Sequence, residues 1–516
     1  MGLSTVLEAI SLSILINGKS LGGFRMKLAE LVNLLSPIAV KGSLEKDITG
    51  IYYDSRKVEK DGVFICISGF KTDGHKFIPQ AVKNGAAAIV VEKEVATPTD
   101  LTVLRVPDTR LALALLANAY YDYPSRKMRL IGVTGTNGKT SVTYLIRSIL
   151  RKAGQKVGLL GTIANLIDEQ KLPAEHTTPE SLDLQRLLHQ MVEQRVDSVV
   201  MEVSSHALEL KRVAATEYDV AVFTNLTQDH LDFHLSLEAY LQAKAKLFKS
   251  LGPGSKDKPK YAVLNFDDPS SKIIAGQTKV PIISYGVTPG VAYRARDIEL
   301  HLNGTSFVIE CPSGSFPIHL KLGGEFNVYN ALAAFAVGKE EGINSNLIIE
   351  ALEEMTGVPG RFEQVDCGQD FAVVVDYAHT PDGLENLLKT ARAVTKGRVL
   401  TVFGCGGDRD RTKRPIMGKI ASELSDYCIV TSDNPRTEDP RAIISDIEPG
   451  LTNDAYEIIV DRREAISRAI ELAQSGDIVV IAGKGHEDYQ IIGDKVIDFD
   501  DRKVARDVLR KRGCIL

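Results

Sequence analysis

The sequence predicts an α/β fold in three domains: a small mixed α/β domain at the N-terminus, a central domain on a parallel sheet, and a Rossmann-like domain at the C-terminus. Three observations lead there. The chain has 516 residues, too many for one hydrophobic core. Continuous apolar runs alternate with helical stretches in two separate series, the pattern of parallel sheets covered on both faces. A glycine-rich turn, GVTGTNGKTS (132–141), joins the first run of the central series to its first helix.

The elements follow in order. The first domain is expected over 26–125. MKLAELVNLL opens it as an amphipathic helix, and GVFICISG (62–69) and AAAIVVE (86–92) read as buried strands. Between them FIPQAVKNG reads as a helix ending at glycine. YDYPSRKMR is expected to be a linker. The central domain is expected over 126–358. There RLIGV is a strand and KTSVTYLIRSILRKAG a helix with a glycine stop; KVGLLG, DSVVMEV, DVAVFTNL and YAVLNFD are further strands. The last domain is expected over 359–516, with strands in FAVVVDYAHT, GRVLTVFGCGGD, YCIVTSDNPR, YEIIVD and DIVVIAGKGHE. Ligands of open parallel sheets sit beyond the carboxyl ends of the strands. That places Asp376, the Gly404–Arg409 turn, Asp433–Arg436 and Gly483–Glu487 on one expected rim.

Composition bounds the function. A hydrophobic fraction of 44% and a charged fraction of 25% are ordinary for a soluble enzyme. The net charge of −5 offers no basic field, so neither nucleic acid nor an anionic membrane is expected as a partner. No apolar run is long enough to span a bilayer, so membrane insertion is not expected. The six cysteines (Cys66, Cys311, Cys367, Cys405, Cys428 and Cys514) contain no C-x-x-C pair, which argues for a reducing cytoplasm without a zinc site or disulfide framework. Residues 1–25 carry Glu8 inside their apolar part and no basic residue before Lys19, so they do not read as a secretory signal. A weakly structured extension is expected there.

The glycine-rich turn carries the first chemistry. Gly135 and Gly138 let the backbone curl so that N–H groups point inward, and the new helix adds its positive end. Thr136 and Asn137 complete the loop. Lys139 can reach the β- and γ-phosphates of a nucleotide, and the Thr140 hydroxyl can ligate Mg²⁺. Val133 stands where the generic P-loop has glycine, so the match is to a variant.

TGTNGKT resembles the ATP loop of the Mur ligase superfamily, which also includes folylpolyglutamate synthases. The resemblance runs from about residue 26 to the C-terminus. It implies three domains and an amide bond made through an acyl phosphate: ATP phosphorylates a substrate carboxylate, and an incoming amine displaces the phosphate. It further implies that Lys139, Glu202, His230 and Lys244 are catalytic, and that Thr140, Glu202 and His230 bind Mg²⁺. YLQAKAKLF (240–248) resembles the family's Y-x-x-A-K segment, whose lysine is carbamylated. Lys244 would then carry a CO₂-derived carboxylate to the metal. On charge alone, Lys244, Lys246 and Lys249 read as a solvated helix face. The resemblance also places Asn265, Asn327 and Asn330 on the adenine side, Arg361 at phosphate and Asp376 at the nucleotide.

Further motifs resemble the diamino-acid-adding members. DSR (54–56) with SGFKTDGHKFIPQA implies Ser55 at the uridine diphosphate end. HTTPESLDLQ (176–185) and MEVSSHALELKR (201–212) imply Thr177, Thr178, Ser204 and Arg212 at the sugar and peptide. The implied substrate is UDP-N-acetylmuramoyl-L-alanyl-D-glutamate. The amine is lysine or meso-diaminopimelate, which differ by one carboxylate. A guanidinium can pair bidentately with that carboxylate. A site built for it should reject lysine, which would leave the arginine unpaired. DNPR (433–436), supplying Asp433, Asn434, Pro435 and Arg436, matches the diaminopimelate-adding type. Arg409 is the implied cation for a carboxylate, and Glu487, with Gly483, the implied partner of an ammonium group. Glu438 and Asp439 read as solvated or early-helix residues. A monomeric cytoplasmic ligase is thus expected. A lysine-adding enzyme, a folylpolyglutamate-synthase-like ligase and a nucleotide-switched binding protein are the alternatives.

Overall fold

The computed structural model describes residues 26–513 except 70, 71, 99, 253, 302 and 303; the extension expected over 1–25 and Cys514 lie outside these. Contacts divide the chain into two compact units. One comprises residues 26–127 with 179–193 and 209–216, and the other comprises the remainder.

The first unit holds a five-stranded sheet in the order Ala39–Lys41, Thr102–Arg105, Ala88–Val91, Val63–Ile65, Ile51–Tyr52. The last four run parallel, and the first is antiparallel to its neighbour. Val63–Ile65 and Ala88–Val91 are buried throughout, as continuous apolar runs should be. The helix between them, Ile78–Lys83, is followed by Gly85 at φ +98°. The helix expected at Met26 is a short one, Leu28–Val32. The helix Ser181–Glu193, inside the range expected for the central domain, makes its contacts in this unit, against the helix Thr109–Tyr120. There the Tyr53 hydroxyl donates to Asp183 at 2.5 Å. YDYPSRKMR is ordered: Tyr123 takes a left-handed conformation, Pro124–Arg126 form a 3₁₀ turn, and Arg129 already begins a strand.

The second unit holds two large sheets. Its eleven-stranded sheet has a parallel centre: Val157–Leu160, Ser198–Glu202, Arg129–Thr134, Val220–Phe223, Tyr261–Asn265 and Ile282–Gly286, in that order. Both flanks are antiparallel, which the apolar runs did not announce. One is the hairpin Asn165–Ile167 with Gln170–Leu172; the other is Tyr293–His301, Gly304–Cys311 and Gly314–Leu320, antiparallel among themselves, with Tyr293–His301 joining the centre through a short parallel pairing with Ile282–Gly286. These flanking strands alternate buried and exposed residues, so they lack the continuous hydrophobicity of the centre. The helices Lys139–Lys152 and Glu325–Glu340 pack together over the core. Glu325–Glu340 is buried nearly all round, consistent with its alanine-rich sequence.

The other sheet runs Glu363–Gln364, Ala372–Asp376, Ile478–Ala482, Val399–Phe403, Tyr427–Val430, Tyr456–Ile458. All but the first strand are parallel. Their carboxyl ends therefore share one rim, and Asp376, Gly404–Arg409, Asp433–Arg436 and Gly483–Glu487 all follow strands there. Among the described residues no helix is long and apolar enough to cross a membrane. Cys66, Cys311, Cys367, Cys405 and Cys428 are free thiols.

Candidate active site

The strand Arg129–Thr134 delivers the phosphate loop and the helix Lys139–Lys152 leaves it. Gly138 has φ +86°, and a Cβ there would lie 2.5 Å from Asn330 Oδ1. The loop is held from outside: Thr136 N–H donates to Asn225 O and Asn137 N–H to Asn225 Oδ1, both at 2.9 Å. Two amines converge on one carbonyl. Lys139 Nζ donates to Gly135 O at 3.0 Å and Thr136 O at 2.8 Å, while Lys244 Nζ donates to Gly135 O at 2.7 Å. Two like charges this close repel unless one amine is neutral or an anion lies between them.

Lys244 is not on a solvated helix face, which was the open alternative. Its side chain is 1% exposed, with Nζ 4.2 Å from the centre of the Tyr240 ring. Burial first, and Lys139 second, hold its pKa well below the usual lysine range. Burial likewise lowers that of Lys139.

Glu202 ends its strand buried against the loop. Its Oε2 accepts from Thr140 Oγ1 at 3.1 Å and Thr162 Oγ1 at 3.0 Å, and its Oε1 from Thr162 N–H at 2.8 Å. His230, at φ +54°, stands 3.3 Å from the Asp229 carboxylate and edge-on to His206. Burial, with help from His206, Lys139 and Lys244, shifts its imidazole below its ordinary pKa. Among the described residues no three His, Cys, Asp or Glu side chains form a ready metal cluster. The oxygen-rich set at Thr140 and Glu202, with the His230 imidazole lining the same cavity, nevertheless has the chemistry of a Mg²⁺ site.

One cavity of about 680 Å³ gathers these groups. Thr136, Asn137, Gly138, Lys139, Thr140, Glu202, His230 and Lys244 line it, as do Thr177, Ser204, Asn265, Asn330, Arg361 and Asp376. Asn265 Nδ2 is committed to Thr224 O at 2.8 Å, and Asn330 Nδ2 to Asn327 Oδ1 at 3.0 Å. Arg361 reaches back from the last domain: Nη2 donates to Thr140 Oγ1 at 3.1 Å, while Nε is buried without a partner among the described residues. Both Asp376 oxygens accept backbone N–H groups, from Phe362 and Ala378 at 2.7 Å each. Burial raises its pKa against these bonds and Arg361. Asp376 therefore shapes the turn around Arg361 as well as lining the cavity.

The residues expected at the muropeptide divide between the two units. Thr178 Oγ1 donates to Glu202 O at 2.8 Å and accepts Ser204 N–H at 3.0 Å; Thr177 Oγ1 lies 3.0 Å from Thr162 Oγ1. These surround Glu202 in the second unit. Ser55 and Arg212 belong to the first. Ser55 is buried in a 3₁₀ turn, its carbonyl accepting from Asn84 Nδ2 at 2.9 Å, and Arg212 Nε is 3.3 Å from Glu180.

The loops expected to take the amino acid form a second cluster outside the cavity. Arg409 and Arg436 flank Gly406. Each guanidinium is anchored through Nη1 on a backbone carbonyl, Arg409 on Asp408 and Arg436 on Gly407, at 2.9 and 2.8 Å, which leaves further donors in each fork. Arg436 sits at φ +52°, with N–H to Ile491 O at 3.1 Å and its carbonyl accepting Gly493 N–H at 2.7 Å. Asp433 caps the Asn434 N–H at 2.6 Å, Pro435 is buried, and Asn434 Nδ2 donates to Glu487 Oε2 at 2.8 Å. A Cβ on Gly483 would lie 2.5 Å from Asp433 Oδ2.

Glu438 is not a helix residue, and its carboxylate, though partly exposed, is engaged by an arginine. It clamps the guanidinium of Arg414, whose side chain has no exposed surface, at 2.8 and 2.9 Å, and accepts Asp408 N–H at 2.6 Å. It thus ties the Arg409 loop to the Arg436 loop. Asp439 is the N-cap of the helix Pro440–Ile447. The Arg414 bond lowers the Glu438 pKa to about 2. The folded value lies below the unfolded one, so this stabilisation is present above the ordinary glutamate range and fades as pH falls toward 2. Thermal denaturation should show Glu438→Gln less stable than the parent at pH 7, with the gap closing near pH 3; a gap that widens on acidification would contradict the clamp.

Sequence reasoning missed two carboxylates and a lysine. Asp382, in the first turn of the helix Pro381–Val394, accepts Asn137 Nδ2 at 2.6 Å and Thr227 Oγ1 at 3.0 Å, fastening the phosphate loop to the last domain. Asp229 stands beside His230. Lys484 is buried against Asn434 and Glu487. Lys484 lies within the Gly483–Glu487 loop already placed on the rim, and Asp382 lies two residues past FAVVVDYAHT, yet nothing in their spacing told which way they face.

Comparison with known proteins agrees with this geometry. Residues 133–338 match the Mur ligase middle domain, 360–485 the Mur ligase glutamate ligase domain, and 47–121 the Mur ligase family catalytic domain. The chain is 52% identical over 488 residues to the UDP-N-acetylmuramoyl-L-alanyl-D-glutamate–2,6-diaminopimelate ligase of Syntrophomonas wolfei, covering 94% of this chain and 99% of that one. It is 51% identical over 490 residues to the enzyme of that name from Geobacillus thermodenitrificans, covering 94% and 100%. A solved structure of such a ligase superposes with a TM-score of 0.67 at 34% identity, covering 95% of this chain and all of that one. Matched by three family models and by these relatives along nearly its whole length, the chain belongs to the Mur ligase family.

Proposed function

We infer that the protein joins meso-diaminopimelate to the D-glutamate γ-carboxylate of UDP-N-acetylmuramoyl-L-alanyl-D-glutamate at the expense of ATP, in peptidoglycan and hence cell-wall synthesis. The observation that carries this is the meeting of Lys139 and Lys244 on Gly135 O, beside Glu202, in a cavity that also takes in Arg361. Such a site asks for a polyanion and its metal.

The phosphate loop N–H groups, Lys139 and Arg361 hold the triphosphate, with Asn265 and Asn330 toward the base. Mg²⁺, held by Thr140, Glu202, His230 and a carbamate on Lys244, would neutralise charge as the carboxylate meets the γ-phosphate. The lowered pKa of Lys244 supports carbamylation, because CO₂ adds to an unprotonated amine. Thr177, Thr178 and Ser204 orient the peptide carboxylate, and Ser55 and Arg212 the uridine diphosphate and sugar. The carboxylate oxygen attacks the γ-phosphorus, ADP leaves, and an acyl phosphate results. The diaminopimelate amine then attacks the acyl carbon, and inorganic phosphate departs as the amide forms. Arg409 and Arg436 take the far carboxylate, Glu487 the far ammonium group, and Asp433, Asn434, Pro435 and Gly483 shape the turns between.

We further propose domain limits of 26–125, 126–358 and 359–516, supported by the confinement of one large sheet to each range. A monomer in the cytoplasm, where ATP and nucleotide sugars are made, fits the reading.

The test is phosphate release from ATP, which should require muropeptide and diamino acid together. At equal concentration diaminopimelate should exceed lysine by about 10⁴-fold in kcat/KM, as for a site with a dedicated polar partner. Equal use of lysine, or turnover with folate and glutamate, would overturn the assignment.

A further inference from the structure

Besides Lys244, one other lysine is fully buried among the described residues: Lys484, with no exposed surface. It lies between two glycines in left-handed backbone, Gly483 at φ +120° and Gly485 at φ +53°. Close packing accounts for both. A Cβ on Gly483 would lie 2.5 Å from Asp433 Oδ2, and one on Gly485 would lie 2.7 Å from Gly360 O, next to Arg361. The segment is pressed between the Asp433 loop and the turn at Gly360, and the intervening side chain is buried.

There Lys484 Nζ lies 3.0 Å from Glu487 Oε2 and 3.3 Å from Asn434 Oδ1. Asn434 Nδ2 donates to the same Oε2 at 2.8 Å, and Asn434 Oδ1 is steadied by Ile491 N–H at 2.9 Å. Glu487 Oε2 thus has two donors, while Oε1 accepts no hydrogen bond among the described residues. A buried Lys–Glu pair contributes little net stability, since desolvating both groups offsets their attraction. What it does supply is a carboxylate fixed by one oxygen with the other presented.

We propose that Lys484 is a positioning residue for the amine substrate: it pins Glu487 through Oε2 so that Oε1 meets the ammonium group at the far end of diaminopimelate. This rests on the reading of Glu487 given above.

Steady-state kinetics of the full chain test it with Lys484→Met, Lys484→Gln, Glu487→Gln and the double variant Lys484→Met/Glu487→Gln. Lys484→Met should raise the KM for meso-diaminopimelate about tenfold, the loss of one charge-assisted hydrogen bond. The KM for ATP should stay within about twofold. Lys484→Gln, which can still donate to Oε2, should fall between parent and Met, and it decides the same comparison if the Met variant does not fold. In the Glu487→Gln background, Lys484→Met should add less than about twofold, because the two act as one unit. Additive effects, or equal rises in the KM for ATP and diaminopimelate, would reduce Lys484 to a packing residue and overturn the proposal. An impaired Glu487→Gln beside a normal Lys484→Met and Lys484→Gln would remove Lys484 alone. A Glu487→Gln variant with unchanged KM for diaminopimelate would remove the underlying reading with it.

Discussion

Replacing Lys244 by alanine is expected to lower kcat by about 10²–10³-fold, the effect of deleting one group that stabilises transition-state charge. The magnitude follows from its place. The amine is buried within the lining of the nucleotide cavity, on the same carbonyl as Lys139, so no solvent or neighbouring side chain can substitute for it. Nucleotide binding should survive, because the loop carbonyl keeps Lys139, and the glycines, Asn225 and the helix end hold the loop without Lys244. Calorimetry with a non-hydrolysable ATP analogue should therefore give an affinity within about threefold of the parent. Bicarbonate should not restore turnover, since the amine proposed to carry the carbamate is gone. Normal turnover would take Lys244 out of the metal site, and loss of nucleotide binding would make it a structural lysine.

Arg436→Ala is expected to raise the KM for meso-diaminopimelate about a hundredfold, the cost of losing charge-assisted hydrogen bonds to a carboxylate. The KM for ATP should hardly move, because Arg436 lies outside the nucleotide cavity. The same variant should narrow the preference over lysine, since the group that distinguished the two amines would be absent. Its backbone makes the experiment informative. Arg436 occupies left-handed φ and exchanges main-chain hydrogen bonds with Ile491 and Gly493, which alanine can keep. A parallel loss for ATP would point instead to collapse of the loop.

Much of this site was legible because its signals are local. The phosphate loop is one contiguous turn between a strand and a helix. The rim of the last sheet followed from alternating apolar runs, since parallel strands must end on one edge. Other features were not legible. The antiparallel flanks at 165–172 and 293–320 alternate in polarity and so lack a continuous apolar run. Glu438 looked like one acid among several, because its partner Arg414 is distant in sequence yet brought beneath it by the fold.

The sequence by itself determined the α/β class, the nucleotide loop and the family, and it singled out the arginine proposed to select a carboxylate, since each rests on periodicity or on residues adjacent in the chain. Only the tertiary structure decided that Lys244 is buried rather than solvated, that Asp382 fastens the phosphate loop, and that Lys484 and Glu438 tie together the rim loops of the last sheet. Those outcomes depend on burial and on pairing between distant segments. Both set charge and orientation, and neither leaves a trace in local spacing.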